Sequence, residues 1–327
     1  MTDLEIIRLG KKVLQGASIT YEEAMRLQSV KTEDIPLLAA YANKIRHTYA
    51  GTTVEMCGII NARSGLCSED CKFCSQSVYH QTQAPVFPLR QSDDLIAEAK
   101  KVAAHGVQRL SLVTSGKGME NDLDFPGLIN RIAVLKETTG LSVCANLGTL
   151  RPDQAALLAA AGVRRYAHNL ETSRSYYAKI CSTHPYEDRL HTLKAAKAAG
   201  MELCSGGIIG MGETWQDRVE LAFTLRSLEV DSVPVNILNP IKGTALEEMN
   251  PRIQPLEIIK TLALFRFILP DKVIRPAGGR EINLRDLQGT AMLAGANGLI
   301  VGHYLTFSGR DTTMDYTMVR DAGLEPV

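Results

Sequence analysis

Leu141–Leu170 reads LSVCANLGTLRPDQAALLAAAGVRRYAHNL, and it decides the fold class. A short apolar, β-rich run (Leu141–Asn146) is followed by an Ala/Leu-rich helical stretch (Asp153–Ala161). Gly162 then supplies a C-cap, and a second β-rich run begins at Arg164 and ends at Leu170. A strand, a helix and a second strand in about 30 residues form a unit whose two strands must run parallel. The same unit recurs along the chain. Further β-rich runs lie at Val54–Asn61, Arg109–Thr114, Glu202–Ile209, Ser232–Leu238, Lys272–Arg275 and Gly298–Gly302. Helical stretches lie between them at Asp94–His105, Tyr186–Ala199 and Thr214–Leu228, and Gly106, Gly200 and Gly295 read as C-caps. Eight strand–helix units in about 250 residues fit an α/β fold of the (β/α)₈ TIM-barrel type; an open doubly wound sheet is the competing arrangement. Residues 1–50 read as an N-terminal helical extension, with Thr20 as a cap before Tyr21, residues 51–305 as the barrel, and residues 306–327 as a polar C-terminal tail.

Composition limits the function classes. Lys and Arg number 36, as do Asp and Glu, so the formal charge is zero. That argues against a nucleic-acid binder working by bulk attraction. No apolar run approaches the 18 residues of a membrane span, and the first residues carry acids rather than a signal-peptide core, so a cytoplasmic location is expected. Seven cysteines, an odd number in such a chain, point to metal rather than disulfides.

Three of the seven lie in Cys67-Ser-Glu-Asp-Cys71-Lys-Phe-Cys74, directly after the first β-rich run. On a barrel this is the first βα loop, at the face where active sites form. The surrounding Gly, Ser and acidic residues disfavour a buried helix. Two readings remain. Zinc would need a fourth ligand, for which His80 is available. Three thiolates alone suit a [4Fe–4S] cluster with one iron left open.

C-x₃-C-x₂-C resembles the signature of the radical S-adenosylmethionine (SAM) superfamily. The likeness narrows along the chain. Asn61-Ala-Arg-Ser-Gly65, Tyr166-Ala-His-Asn-Leu-Glu-Thr172, Cys204–Glu213, Val233–Asn236, Gly278–Glu281 and Ala294–Asn297 resemble the biotin synthase family, in consistent order over residues 35–305. The resemblance implies a [4Fe–4S] cluster that binds and cleaves SAM to a 5′-deoxyadenosyl radical, with sulfur inserted into dethiobiotin to form biotin. It also implies a flavodoxin- or ferredoxin-type electron donor and a homodimer. Around SAM it places Phe73 near the adenine, Thr114 and Ser115 near the methionine portion, and Asn169 and Glu171 on the fourth strand. Gly206, Ile208 and Gly210 belong to a G-x-I-x-G-x-x-E pattern beside the adenine. Asn169 and Asn236 become the dethiobiotin contacts, while Ala167 stands where many relatives have a further Asn. No side chain is assigned as an acid or base. His168 reads as a satisfied core or interface histidine and Cys181 as an inert thiol.

The family also carries an auxiliary cluster, usually [2Fe–2S], regarded as the sulfur source. Cys144, Cys204 and Arg275 match its ligands, but the remaining thiolate position is Ser111, a hard ligand among soft ones. Cys57 lies on the first strand, and alternate strands share a layer of inward side chains. Cys57 is therefore expected to replace the missing thiolate. The alternatives are another radical SAM enzyme, such as a maturase or mutase, and a non-enzymatic iron–sulfur or zinc protein.

Overall fold

The computed structural model describes residues 1–119, 124–249, 252–306 and 309–327. Three helices open the chain: α1 (Asp3–Leu14), α2 (Tyr21–Leu27) and α3 (Ile35–Ala50). Thr20 caps α2 in a reciprocal box with Glu23, as its sequence implies. Then strands and helices alternate: β1 (Thr53–Arg63), α4 (Ser92–Ala104), β2 (Arg109–Thr114), α5 (Phe125–Thr139), β3 (Ser142–Asn146), α6 (Pro152–Ala160) and β4 (Arg165–Ala167). After the short α7 (Arg174–Tyr177) come α8 (Tyr186–Ala198), β5 (Glu202–Cys204), β6 (Gly207–Ile209), α9 (Trp215–Ser227), β7 (Ser232–Ile237), α10 (Pro255–Ile268) and β8 (Val273–Pro276). The chain ends with α11 (Arg280–Leu284), α12 (Gln288–Leu293), β9 (Gly298–Ile300), α13 (Thr312–Asp321) and β10 (Glu325–Pro326).

The named strands pair in parallel, and β9 returns to pair with β1, so the sheet curls into a barrel. Gly106, Gly162, Gly200 and Gly295 all have positive φ, as C-caps require. The run expected as one strand over Glu202–Ile209 is split at Ser205–Gly206, because Gly206 N–H turns to the Asn169 side-chain oxygen (3.2 Å).

The seam between β8 and β9 is closed by one residue. Asn297 N–H donates to Ile274 O (3.0 Å), and its Oδ1 accepts from Ile274 N–H (2.9 Å) and Arg266 Nη2 (2.6 Å). Arg266, fully buried at the end of α10, also donates to the carbonyls of Gly295, Leu269, Pro270 and Lys272. It thereby satisfies helix-end acceptors that water cannot reach.

The C-terminal segment is more than a polar tail. Val319 and Leu324 join Val54, Met56 and Leu299 in an apolar cluster, β10 pairs with Thr53 and Val54, and Asp315 is fully buried against Arg280 (2.5 Å). The apolar spacing within α13 supplies the reason: one face must be covered, and the start of β1 covers it. Residues 307 and 308 of the expected tail lie outside the described residues.

Candidate functional site

The Cys67–Cys74 loop leaves the C-terminal end of β1, where sequence reading places it. Cys67 N–H donates to Gln76 O and Val78 N–H to Cys67 O (both 2.9 Å), while Cys74 N–H returns to Cys71 O (2.9 Å). The Gln76 side chain accepts from Ser64 Oγ and Gly65 N–H, and Ser115 Oγ donates to Gly65 O (2.7 Å). The end of β2 thus braces the residues before Cys67. His80 is tied to the same loop, its Nδ1 2.7 Å from Cys74 O. Burial raises the Cys67 thiol and pushes Cys74 up to about 11. Such thiols ionise when iron displaces their protons.

Facing this loop, the end of β4 departs from regular alternation. Glu171 has φ of 68° and bridges to Gly207, and its carbonyl accepts from Ile208 N–H (2.8 Å). The carboxylate is buried: Oε1 lies 3.6 Å from Arg189, and Oε2 has no partner. Burial is the larger influence and raises its pKa, with Arg189 opposing. Thr114 Oγ1 and Asn61 Oδ1 are likewise buried without partners. Unsatisfied buried oxygens are costly in a folded chain, and each of the three is open to a polar ligand. Asn61 was not singled out as a site residue from the sequence, although it alternates with Ile59 and Cys57 along β1.

Phe73, Cys74, Ile208 and Asn236 line one cavity of about 240 Å³, together with Gly278 and Tyr304. Asn236 is committed to backbone: Oδ1 accepts from Gly278 N–H (3.0 Å), and Nδ2 donates to Gly207 O (3.4 Å). Asn169 is similarly held, accepting from Gly206 N–H through Oδ1. A side chain at Gly206 would place Cβ 1.9 Å from Pro234 O. Gly210 has φ of 89°, and Glu213 closes the turn by accepting from Gly210 and Met211 N–H (2.8 and 2.7 Å), itself paired with Arg218. Glu213 is thus a structural member of the glycine pattern.

Deeper in the barrel, Cys57 and Cys144 are buried, Cys204 is half-buried and Arg275 is buried. Cys57 lies within electrostatic reach of Arg275, Cys204 and Cys144, so the residues from alternating strands share one region. Burial raises the Cys57 thiol and pushes Cys144 up to about 12. Ser111 is in register with Cys144 and Ile59.

Beneath them lies a charged girdle not noticed in the sequence. Glu55 accepts from Arg165 (2.7 and 3.2 Å), pairs with Arg109 (3.1 Å) and contacts Arg275, while Glu202 pairs with Arg165 (2.9 Å) and Arg109 (3.6 Å). Burial would raise Glu55, but Arg275, Arg165 and Arg109 outweigh it and hold the carboxyl at about 2. With Arg164 also on Glu202 (2.7 Å), four arginines face two carboxylates, so positive charge is in excess under the thiols. Arg109 Nη1 sits 3.6 Å from Cys144 Sγ. The buried Arg275 Nε is without a partner.

His168 is buried and burial holds its pKa well below the usual range, but its Nε2 has no hydrogen-bond partner, so it is not the satisfied histidine expected. Cys181, expected to be an inert thiol, is buried against a cysteine of the cluster loop. Its sulfur, that of Cys71 and a His184 ring nitrogen lie within 4.8 Å of one another. The Cys181–x–x–His184 spacing was the available signal.

A family model for the radical SAM superfamily matches residues 63–225, and one for the biotin and thiamin synthesis associated domain matches residues 234–325. The chain is 50% identical over 321 residues to a biotin synthase of Carboxydothermus hydrogenoformans, covering 98% of each protein. It is 49% identical to that of Clostridium acetobutylicum over the same length and coverage. The chain belongs to the biotin synthase family. Among solved structures, methylornithine synthase superposes with a TM-score of 0.84 at 21% identity, covering 98% of this chain and 97% of that one. A maturase of the [FeFe]-hydrogenase gives 0.85 at 17%, covering 100% and 76%. At such identities these two share the fold alone. Among the described residues, no helix is long and apolar enough to cross a membrane.

Proposed function

We propose that this biotin synthase family member converts dethiobiotin to biotin with SAM as the radical source and an auxiliary cluster as the sulfur source. The observation that carries this reading is the stacking of two cysteine sets: Cys67, Cys71 and Cys74 at the barrel mouth, and Cys57, Cys144 and Cys204 inside it. When bound, a [4Fe–4S] cluster supplies an open iron and an electron for SAM cleavage, and the auxiliary cluster supplies sulfide. Both C–H bonds to be broken are unactivated, beyond acid–base chemistry at neutral pH, so the chain's task is positioning and exclusion of water.

Cys67, Cys71 and Cys74 hold the first cluster, and Cys57, Cys144 and Cys204 the second. Arg275 stands beside the second as a donor, its guanidinium already paired with Glu55. Phe73 and Ile208 give the adenine two apolar faces, and Gly206 and Gly210 let the backbone approach it. The free Glu171 Oε2 accepts from ribose hydroxyls, and Thr114 Oγ1 meets the methionine portion, with Ser115 bracing the loop beneath. Asn169 and Asn236 border the ureido ring; Ala167 leaves room where an amide contact is absent. A flavodoxin- or ferredoxin-type donor and a homodimeric state accompany this reading on the family resemblance.

The test is anaerobic: reconstitute with iron and sulfide, reduce, add SAM with or without dethiobiotin, and quantify products by mass spectrometry. Biotin together with dethiobiotin-dependent 5′-deoxyadenosine is the expected result. SAM cleavage without biotin, and without stimulation by dethiobiotin, overturns the substrate assignment.

A further inference from the structure

The cluster loop is not held by β1 and β2 alone. The segment after α7 clamps its outer side. Lys72 N–H donates to Ile180 O (2.9 Å), which sets residues 71 and 181 side by side. Asp70 accepts from Ser182 N–H (2.8 Å) and Thr183 N–H (3.2 Å), and Glu69 accepts from Thr183 Oγ1 (2.7 Å). Between these strap bonds, the buried Cys181 sulfur stands next to Cys71, with His184 Nδ1 3.3 Å from it and the three ligand atoms within 4.8 Å of one another. His184 Nδ1 also meets Glu69 Oε2 (2.5 Å), and its Nε2 meets Tyr177 OH (2.7 Å). Tyr177 OH accepts from Arg189 Nε (2.7 Å), and Arg189 Nη1 donates to Asn169 O (2.8 Å) beside Glu171. One buried chain of hydrogen bonds therefore runs from the cluster loop to the strand end that borders SAM.

We propose that Cys181 is a positioning residue of the SAM-cleaving cluster: its S–H donates to the Cys71 sulfur, raising the cluster's reduction potential, while His184 holds the Cys181 thiol in place. The inference rests on the reading that Cys67, Cys71 and Cys74 hold that cluster. Once Cys71 binds iron as a thiolate it is acceptor-only, and the adjacent Cys181 sulfur is a donor within reach. A hydrogen bond to a cluster sulfur stabilises the more negative, reduced state, so it favours reduction. Nothing else in the reaction uses Cys181, and the auxiliary layer lies on other strands.

The experiment is an EPR-monitored potential titration of the full, reconstituted chain with SAM present, comparing wild type, Cys181→Ala, Cys181→Ser and His184→Gln. Iron and sulfide content are measured on each. Cys181→Ala is expected to keep the cluster yet shift its equilibrium about tenfold toward the oxidised form, about 59 mV for a one-electron couple. Cys181→Ser, with a stronger donor, should restore the wild-type potential or exceed it, and His184→Gln should fall between. A potential unchanged in Cys181→Ala overturns the inference. So does loss of the cluster from that variant, because a donor to Cys71 is not required to hold iron. Cys71→Ala tests the underlying reading separately: if it retains the SAM-responsive EPR signal, the ligand assignment itself fails.

Discussion

Replacing Glu55 by Gln should destabilise the chain by about 3 kcal/mol at pH 7, and the cost should shrink in acid. The carboxylate faces three guanidiniums, those of Arg109, Arg165 and Arg275, and its side chain is only 20% exposed, so solvent screens the pairs little. Its pKa of about 2 lies below the ordinary 4.5, and at about 1.4 kcal/mol per pKa unit the gap corresponds to about 3 kcal/mol. The sign follows from linkage: a group whose folded pKa is depressed stabilises fully above its unfolded pKa and loses that contribution as pH falls toward its folded value. The wild-type advantage should therefore decline to about 2 kcal/mol at pH 3.5. Gln keeps the volume and one acceptor oxygen, so the charge is what changes. Urea titrations of the cluster-free chain at both pH values, with unchanged slope, would measure the difference. A cost below about 1 kcal/mol, or one independent of pH, would refute the view that the arginines dominate Glu55.

Three further outcomes follow from other parts of the barrel. Cys57→Ala should abolish the auxiliary cluster's iron signal while Ser111→Ala leaves it, as read by Mössbauer spectroscopy and sulfide content; the opposite pattern sinks the substituted ligand set. Glu171→Ala should raise the KM for SAM about tenfold or more, since a hydrogen bond to a charged acceptor contributes about 1.5–3 kcal/mol, and an unchanged KM would remove Glu171 from the ribose. Asn297→Ala should cost about 2–5 kcal/mol in denaturant titrations, because Arg266 Nη2 and Ile274 N–H each lose a buried acceptor. A loss under about 1 kcal/mol would mean the seam closes without Asn297.

Period and punctuation made the barrel legible. Each β-rich run read from the sequence overlaps an observed strand, and the capping glycines end helices at the expected places, because both signals are local. The loop of Cys67, Cys71 and Cys74 was legible for the same reason: spacing and context sit within eight residues. What escaped reading depends on partners distant in sequence. Glu55, Arg109, Arg165 and Glu202 are ordinary alternating strand residues until the barrel brings them together across more than 100 positions. Alternation implied that Asn169 and Glu171 point inward alike, but the left-handed Glu171 backbone breaks that phase. The apolar face of α13 became visible only once β10 returned to β1. Cys181 gains its meaning from Cys71, 110 residues earlier, through a clamp that no local pattern announces.

The central claim is that sulfur leaves a cluster held in the barrel by Cys57, Cys144 and Cys204. The most direct measurement is one turnover of protein reconstituted with isotopically heavy sulfide, with excess light sulfide removed, then SAM and dethiobiotin added and the biotin mass determined. Heavy sulfur in the biotin made by wild type, and no biotin from Cys57→Ala that still cleaves SAM, is the predicted result. Biotin of natural mass, or heavy biotin from Cys57→Ala at the wild-type yield, would contradict the account.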